Sequence, residues 1–179
     1  NKNYKHNLSK PNFHIVSGDI TDFACVCDVV REIQPDYFIN FAAMSFVAES
    51  WNTPLSTFEI DANGVLHCLE AIRKNKPDCR FYSAGTSEQL SQVEYLPQDE
   101  MHPRSAKSPY GAAKIAAEQL ARVYRHSYNM YAVHGILFNH ESERRDFCFV
   151  SRKITQAVAR IKKAIENNEN FEPLELGFL

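Results

Sequence analysis

Ser108-Pro109-Tyr110-Gly111-Ala112-Ala113-Lys114 sets a tyrosine and a lysine four positions apart at the head of a helical stretch. Ser108 is a good N-cap, and Pro109 suits the first helical position, where a missing N–H costs nothing. Residues i and i+4 share a helix face, so Tyr110 and Lys114 can point into one site. A nearby ammonium favours the phenolate and draws the tyrosine pKa below about 10. A tyrosine treated that way can act as a base near neutral pH. Taken alone the pair is a weak signal, and a capped surface helix explains it equally. Thr86-Ser87-Glu88 offers a second opportunity, a carboxylate able to serve as acid or base; the same triplet also reads as an N-cap and first turn. Asp19 suits either an adenosine or the cap of a turn. Arg144-Arg145 fits a phosphate clamp or a solvated pair partnered by Glu141 or Glu143. His140 can touch a cofactor, but the histidines, His67 and His134 included, default to packing or surface roles. Phe46, Trp51 and Phe58 read as core or dimer-contact aromatics.

The elements that must position these groups alternate. Phe13-His14-Ile15-Val16 is a short apolar run ending at Gly18-Asp19 and reads as a buried strand. Helical spacing over Asp22 to Gln34 predicts a helix capped by Thr21 and stopped by Pro35. Tyr37 to Ala42, Arg80 to Ala84 and Met130 to Phe138 are nearly continuous apolar runs, as in parallel strands buried on both faces. Helices are expected over Thr53 to Lys74, Tyr110 to Ser127 and Phe149 to Glu166. Strict alternation of strand and helix predicts an α/β, Rossmann-like, doubly wound parallel sheet. Ligands of such sheets sit at the carboxyl ends of the strands. Those ends read Gly18-Asp19-Ile20, Asn40 to Ser45, Gly85 to Glu88 and Asn139 to Ser142, so every strand leads into polar groups. Thr86, Glu88, Tyr110 and Lys114 thereby converge on one edge.

A chain of 179 residues with net charge -2 suits one soluble domain and shows no basic surface for nucleic acid or anionic membrane. No apolar run is long enough to cross a bilayer, which predicts a cytoplasmic protein without a membrane partner. Five cysteines without a Cys-x-x-Cys argue against a disulfide framework and a zinc site, and no metal is expected. No Gly-x-x-Gly-x-x-Gly occurs, although a dinucleotide fold needs such a loop for its pyrophosphate.

The motifs Gly18-Asp19-Ile20-Thr21-Asp22, Asn40 to Ser45, Thr86-Ser87-Glu88, Ser108 to Lys114 and Gly135 to Ser142 follow one another in this order. In that order the chain resembles the extended short-chain dehydrogenases, and among them the GDP-mannose 4,6-dehydratase family. Asn139-His140-Glu141-Ser142-x-Arg144-Arg145 followed by Phe149 to Ile154 carries the finer match. The resemblance implies an NADP-assisted internal redox dehydration of GDP-mannose to GDP-4-keto-6-deoxymannose, a lyase reaction belonging to GDP-fucose biosynthesis. It implies that Tyr110 takes the 4-hydroxyl proton, Thr86 hydrogen-bonds the 4-oxygen, and Glu88 removes the C5 proton and assists loss of the 6-hydroxyl. Lys114 would hold the nicotinamide ribose and tune Tyr110. Asp19 and Ile20 would border the adenine, with Ala42, Ala43 and Ser45 along the cofactor. His140 and Arg145 match cofactor contacts, while Asn139, Val150 and Lys153 match positions that touch the GDP-sugar. The complete enzyme would be a homo-oligomer, a dimer or tetramer.

Departures from the family pattern accompany the match. The family's Gln-Ser-His reads Met44-Ser45-Phe46, and Ser-Thr-Ser-Glu-Leu-Tyr-Gly reads Gly85-Thr86-Ser87-Glu88-Gln89-Leu90-Ser91. A cofactor-side tyrosine is replaced by Phe58. The expected organisation is a polar segment 1–12, a partial NADP-binding domain 13–166 and, over 167–179, the start of a truncated substrate-domain segment. Leu174-Glu175-Leu176-Gly177 reads as a strand onset. On this reading the chain is cut at both ends, lacks the first strand and glycine loop, and by itself binds NADP weakly and turns over little GDP-mannose. Alternatives are a non-catalytic remnant or binding partner with the same fold, or an epimerase or dehydratase of another nucleotide sugar.

Overall fold

The computed structural model describes residues 7–176. Three strands, β1 (Tyr37–Asn40), β2 (Arg80–Ala84) and β3 (Ala132–Gly135), form a parallel sheet in the order β1-β2-β3. Tyr37 is in register with Arg80 and Asn40 with Ser83, while Phe81 pairs with Ala132 and Ala84 with Gly135. Parallel neighbours need crossovers, and helices supply them. These are α1 (Phe23–Ile33), α2 (Glu49–Asn52), α3 (Pro54–Phe58), α4 (Gly64–Asn75), α5 (Pro109–Ser127) and α6 (Val150–Glu166). The fold is the expected Rossmann-like parallel α/β arrangement.

The described residues divide into two compact units, one from His14 to Phe138 and one made of the N-terminal segment with Asn139 onward. The core of the larger unit joins Val26 and Val30 of α1, Val65, Leu69 and Ile72 of α4, Phe81 of β2 and Ala117 and Ala121 of α5. Alanines on the inward stripe of α5 keep its backbone close to the sheet, and α5 packs on β2 and β3. The smaller unit carries α6, whose Ala157 and Ala164 are buried.

Several expectations are corrected. Phe13 to Val16 is not a strand: no described strand pairs with it, its backbone stays outside the sheet, and Ile15 and Val16 are exposed. β1 is not covered on both faces, since Tyr37 and Ile39 are exposed while Asn40 is buried. The run from Met130 to Phe138 contributes only four residues of regular strand, Ala132–Gly135. The helix expected over Thr53 to Lys74 starts at Pro54 and runs to Asn75, interrupted by a π turn over Glu59–Asn63. Pro54 can open a helix but cannot continue one, which separates α2 from α3. Phe46, Trp51 and Phe58 are exposed rather than core. Residues 169–176 are irregular, and Gly177 of the expected strand onset lies outside the described residues. All five cysteines are free thiols, and among the described residues no helix is long and apolar enough to cross a membrane.

The cap of α1 is Asp22 and not Thr21. Asp22 Oδ1 accepts from Ala24 N at 3.0 Å and Cys25 N at 3.2 Å, whereas the Thr21 hydroxyl donates to Asp19 Oδ1 at 2.8 Å. A carboxylate at the N-cap satisfies two orphan donors and meets the positive end of the helix dipole. Asp22→Ala is therefore expected to cost about 1 kcal/mol of stability in a urea titration, with Thr21→Ala costing less; the reverse ranking would return the cap to Thr21.

Candidate active site

Helix α5 begins as its sequence dictates. Ser108 Oγ accepts from Gly111 N at 3.1 Å, and Pro109 occupies the first turn. The i, i+4 spacing then turns Tyr110 and Lys114 inward, and both are buried. Lys114 Nζ lies 5.7 Å from the Tyr110 ring centroid and donates to Ala84 O, the last carbonyl of β2, at 3.0 Å. The ammonium thus sits at the carboxyl end of the central strand. Burial draws its pKa below the ordinary lysine value, with the charge of Asp61 pulling the other way.

The turn after β2 carries Thr86 and Glu88. Pairing with β3 continues past the strand, as Gly85 N donates to Gly135 O at 2.7 Å and Ser87 N to Leu137 O at 2.8 Å. Thr86 caps the short 3-10 turn Ser87–Leu90, its Oγ1 accepting from Glu88 N at 3.3 Å. The capping reading of this triplet is correct, and it leaves the Thr86 hydroxyl hydrogen for another acceptor. Glu88 is half-buried, and its Oε2 accepts from Ser91 Oγ at 3.3 Å. A Cβ at Gly111 would stand 2.7 Å from Glu88 O. The missing side chain lets the first turn of α5 lie against the Glu88 peptide, so the segments bearing Tyr110 and Glu88 touch.

The remaining residues follow the other strand ends. Asn40 Oδ1 accepts from Ala42 N at 3.0 Å, which shapes the segment carrying Ala42, Ala43 and Ser45; Ala43 is half-buried, and the other two are exposed. Asp19 Oδ1 accepts from Thr21 N at 2.9 Å as well as from its hydroxyl, and these bonds hold its carboxyl below the usual range. Asp19 also borders a cleft of about 690 Å³ with Leu55, Phe58 and Asn63. The Ile20 side chain packs on the core, and its carbonyl meets His67 Nδ1 at 3.0 Å.

In the smaller unit Asn139, His140, Val150 and Lys153 are exposed. The Arg145 guanidinium lies over the Phe149 ring at 3.7 Å, with Nε 3.5 Å from Glu141 Oε2, so the ion-pair reading holds for this arginine. Lys153 lines a cleft of about 650 Å³ with Gln156, Arg160 and Leu174.

Four residues at the larger unit's site escaped the reading of the sequence. Asp61, wholly buried in the π turn, accepts from Met44 N at 2.7 Å through Oδ1, while its Oδ2 has no protein partner. Burial raises its pKa, and Lys114 opposes the rise. Gln89 is wholly buried, and its Nε2 donates to Glu118 Oε2 at 2.7 Å. Arg104 grips Glu118 with Nε at 2.7 Å and Nη2 at 2.8 Å. Burial raises the Glu118 pKa, but Arg104 outweighs it and the net shift is downward. Glu118 carried a legible signal, since it stands four residues after Lys114 on the inward stripe of α5.

A parallel sheet with a tyrosine and a lysine of one helix at its carboxyl edge defines a Rossmann-like fold. Solved structures share it. RMD from Pseudomonas aeruginosa, complexed with NADPH, superposes with TM-score 0.77 at 24% identity over 84% of this chain and 50% of that one. A Thermus thermophilus UDP-glucose 4-epimerase in complex with NAD gives TM-score 0.72 at 28% identity over 82% of this chain and 48% of its own. The GDP-mannose 4,6 dehydratase family model matches residues 1–171. A GDP-mannose 4,6-dehydratase of Yersinia enterocolitica is 46% identical over 88% of this chain and 43% of its own length, and the Homo sapiens protein 39% identical over 88% and 44%. The chain belongs to the GDP-mannose 4,6-dehydratase family. It spans under half the length of these curated relatives.

His134 gives the site's surroundings a pH signature. Burial pulls its pKa down to about 4, with Glu118 opposing and Lys114 and Arg104 reinforcing. The unfolded chain, with a histidine near pH 6.5, binds the proton more readily than the folded one. Stability is therefore expected to fall as pH drops from about 6.5 to about 4, by on the order of 3 kcal/mol at about 1.4 kcal/mol per pH unit. Below that window the contribution levels off. Denaturant titrations across pH should show the slope in the parent chain and lose it in His134→Asn; parallel curves would deny His134 this role.

Proposed function

We propose that this chain carries the catalytic centre of a GDP-mannose 4,6-dehydratase that uses NADP, with Tyr110, Thr86 and Glu88 acting on the sugar and Lys114 on Tyr110 and the cofactor. The observation that supports this most is the Lys114 ammonium held at the end of β2, beside Tyr110, on a helix whose first turn abuts Glu88. Family membership supports the substrate class.

The residues suit the two nucleoside parts of a nicotinamide dinucleotide at the strand ends. Lys114 spends one N–H on Ala84 O and keeps others for a ribose diol. The cleft at Asp19, with Leu55 and Phe58, combines an acceptor with apolar walls as a nucleoside requires. Asp19, Ile20, Ala42, Ala43, Ser45, His140 and Arg145 are proposed as cofactor contacts. Asn139, Val150 and Lys153 are proposed to meet the GDP-sugar. When bound, NADP supplies the acceptor and donor of hydride.

The chain's own groups divide the proton chemistry. Tyr110, with the Lys114 ammonium beside its ring, takes the proton of the 4-hydroxyl. The Thr86 hydroxyl donates to the 4-oxygen as it becomes a carbonyl. That ketone acidifies C5–H, Glu88 accepts the C5 proton, and the same carboxyl returns it to the departing 6-hydroxyl, which leaves as water. Glu88 is needed only after oxidation.

Glu88→Gln in the full-length protein is expected to lower formation of the 4-keto-6-deoxy product by about 10²- to 10⁴-fold, the usual worth of a general acid–base group. Trapping of a 4-keto sugar by borodeuteride should still succeed in that variant. If neither ketone nor product formed, Glu88 would belong to binding or oxidation. Tyr110→Phe should suppress the ketone itself, and unimpaired turnover in that variant would favour a non-catalytic reading of the pair.

A further inference from the structure

Gln89 is wholly buried behind the Thr86–Glu88 turn, and the orientation of its amide is fixed. Its Nε2 donates to the carboxylate of Glu118, which can only accept. Its Oε1 therefore faces the opposite way, where it accepts from Thr86 N at 2.8 Å and lies 3.1 Å from His134 Nε2. The second contact requires the histidine hydrogen on Nε2, leaving His134 Nδ1 bare; that atom is buried and meets no protein group. A chain of bonds thus runs from Arg104, through Glu118 and Gln89, to the peptide that opens the turn.

The network also dictates its neighbour. A Cβ at Gly85 would collide with Gln89 Oε1 and His134 Nε2 and would stand 2.7 Å from Gly135 O. Only glycine leaves the amide oxygen room to reach both donors. The structure thereby makes Gly85 and Gln89 interdependent. An aliphatic residue at 89 would leave the Thr86 N–H, the His134 Nε2–H and one Glu118 oxygen without the amide they now share.

We propose that Gln89, clamped by Glu118 and His134 and admitted by Gly85, is the positioning residue that fixes the Thr86–Glu88 turn at the end of β2. Its part in catalysis rests on the assignment of Thr86 and Glu88 to the sugar; its part in holding the turn does not. Gln89 touches neither substrate nor cofactor. It acts through the Thr86 peptide, whose direction sets both the hydroxyl of Thr86 and the path of the chain to Glu88.

The test has two arms. In the 179-residue chain, Gln89→Leu removes both functions of the amide, and Gly85→Ala pushes Oε1 aside without removing it, which keeps the test usable if the first variant folds poorly. Amide hydrogen exchange at Thr86 should accelerate by at least about tenfold in each, beyond any change at core amides such as that of Phe81. Gly85→Ala should also depress the melting temperature somewhat less in the Gln89→Leu background than in the parent, since one of its three collision partners is gone while His134 Nε2 and Gly135 O remain. Unchanged Thr86 exchange in both variants overturns the proposal. In the full-length protein, Gln89→Leu should lower kcat by about 10- to 100-fold while KM stays within about twofold, the pattern of misplaced reacting groups. An active parent whose Gln89→Leu variant keeps full kcat also overturns it. A parent that does not convert GDP-mannose refutes the functional reading instead, and the exchange arm then decides the proposal alone.

Discussion

The hydrogen bond from Lys114 Nζ to Ala84 O is the contact on which the architecture of the site turns. A buried ammonium is costly unless it finds acceptors and opposing charge. Here the last carbonyl of β2 provides one, and Asp61 in the neighbouring π turn provides the other. Meeting both demands fixes the rotation of α5 about its axis and its advance along the sheet. Tyr110, one turn earlier on the same stripe, is carried to the strand ends by that constraint. The alanine-lined face of α5 makes the approach close enough, and Gly111 lets the first turn come against the Glu88 peptide.

Around that contact the polar groups form a continuous interior support. Met44 N is held by Asp61, Thr86 N by Gln89, and Gln89 by Glu118, which Arg104 grips from the loop before α5. Each of these groups would be expensive to bury alone, and together they leave few unmet donors. Asp61 Oδ2 and His134 Nδ1 are buried atoms without protein partners, and both lie on residues that contact this support or bear on Lys114. Met44 and Thr86, in the irregular segments after β1 and β2, are thereby tied to side chains of neighbouring elements.

Much of this was legible in the sequence because local chemistry dictated it. Ser108 and Pro109 announced α5, and the i, i+4 rule placed Tyr110 beside Lys114 as found. Arg80 to Ala84 read as a strand and is one, since its inward residues are buried against helices. What failed was whatever needed a partner the local sequence does not name. Phe13 to Val16 has strand composition but no described neighbour to pair with, so composition misled. Thr21 and Asp22 are both competent caps; Asp19 claims the threonine, and the choice falls to Asp22. The network through Gln89 joins residues 29 and 45 positions apart, beyond the reach of helical or strand periodicity.

The central claim is that the strand-end site performs an internal transfer of hydrogen from C4 to C6 of the sugar. GDP-mannose deuterated at C4, supplied to the full-length protein in ordinary water, tests it in one nuclear magnetic resonance experiment. The account predicts a 4-keto-6-deoxy product with the deuterium in its C6 methyl group. Product whose methyl carries no label, or a converted sugar that keeps its 6-hydroxyl, would contradict it.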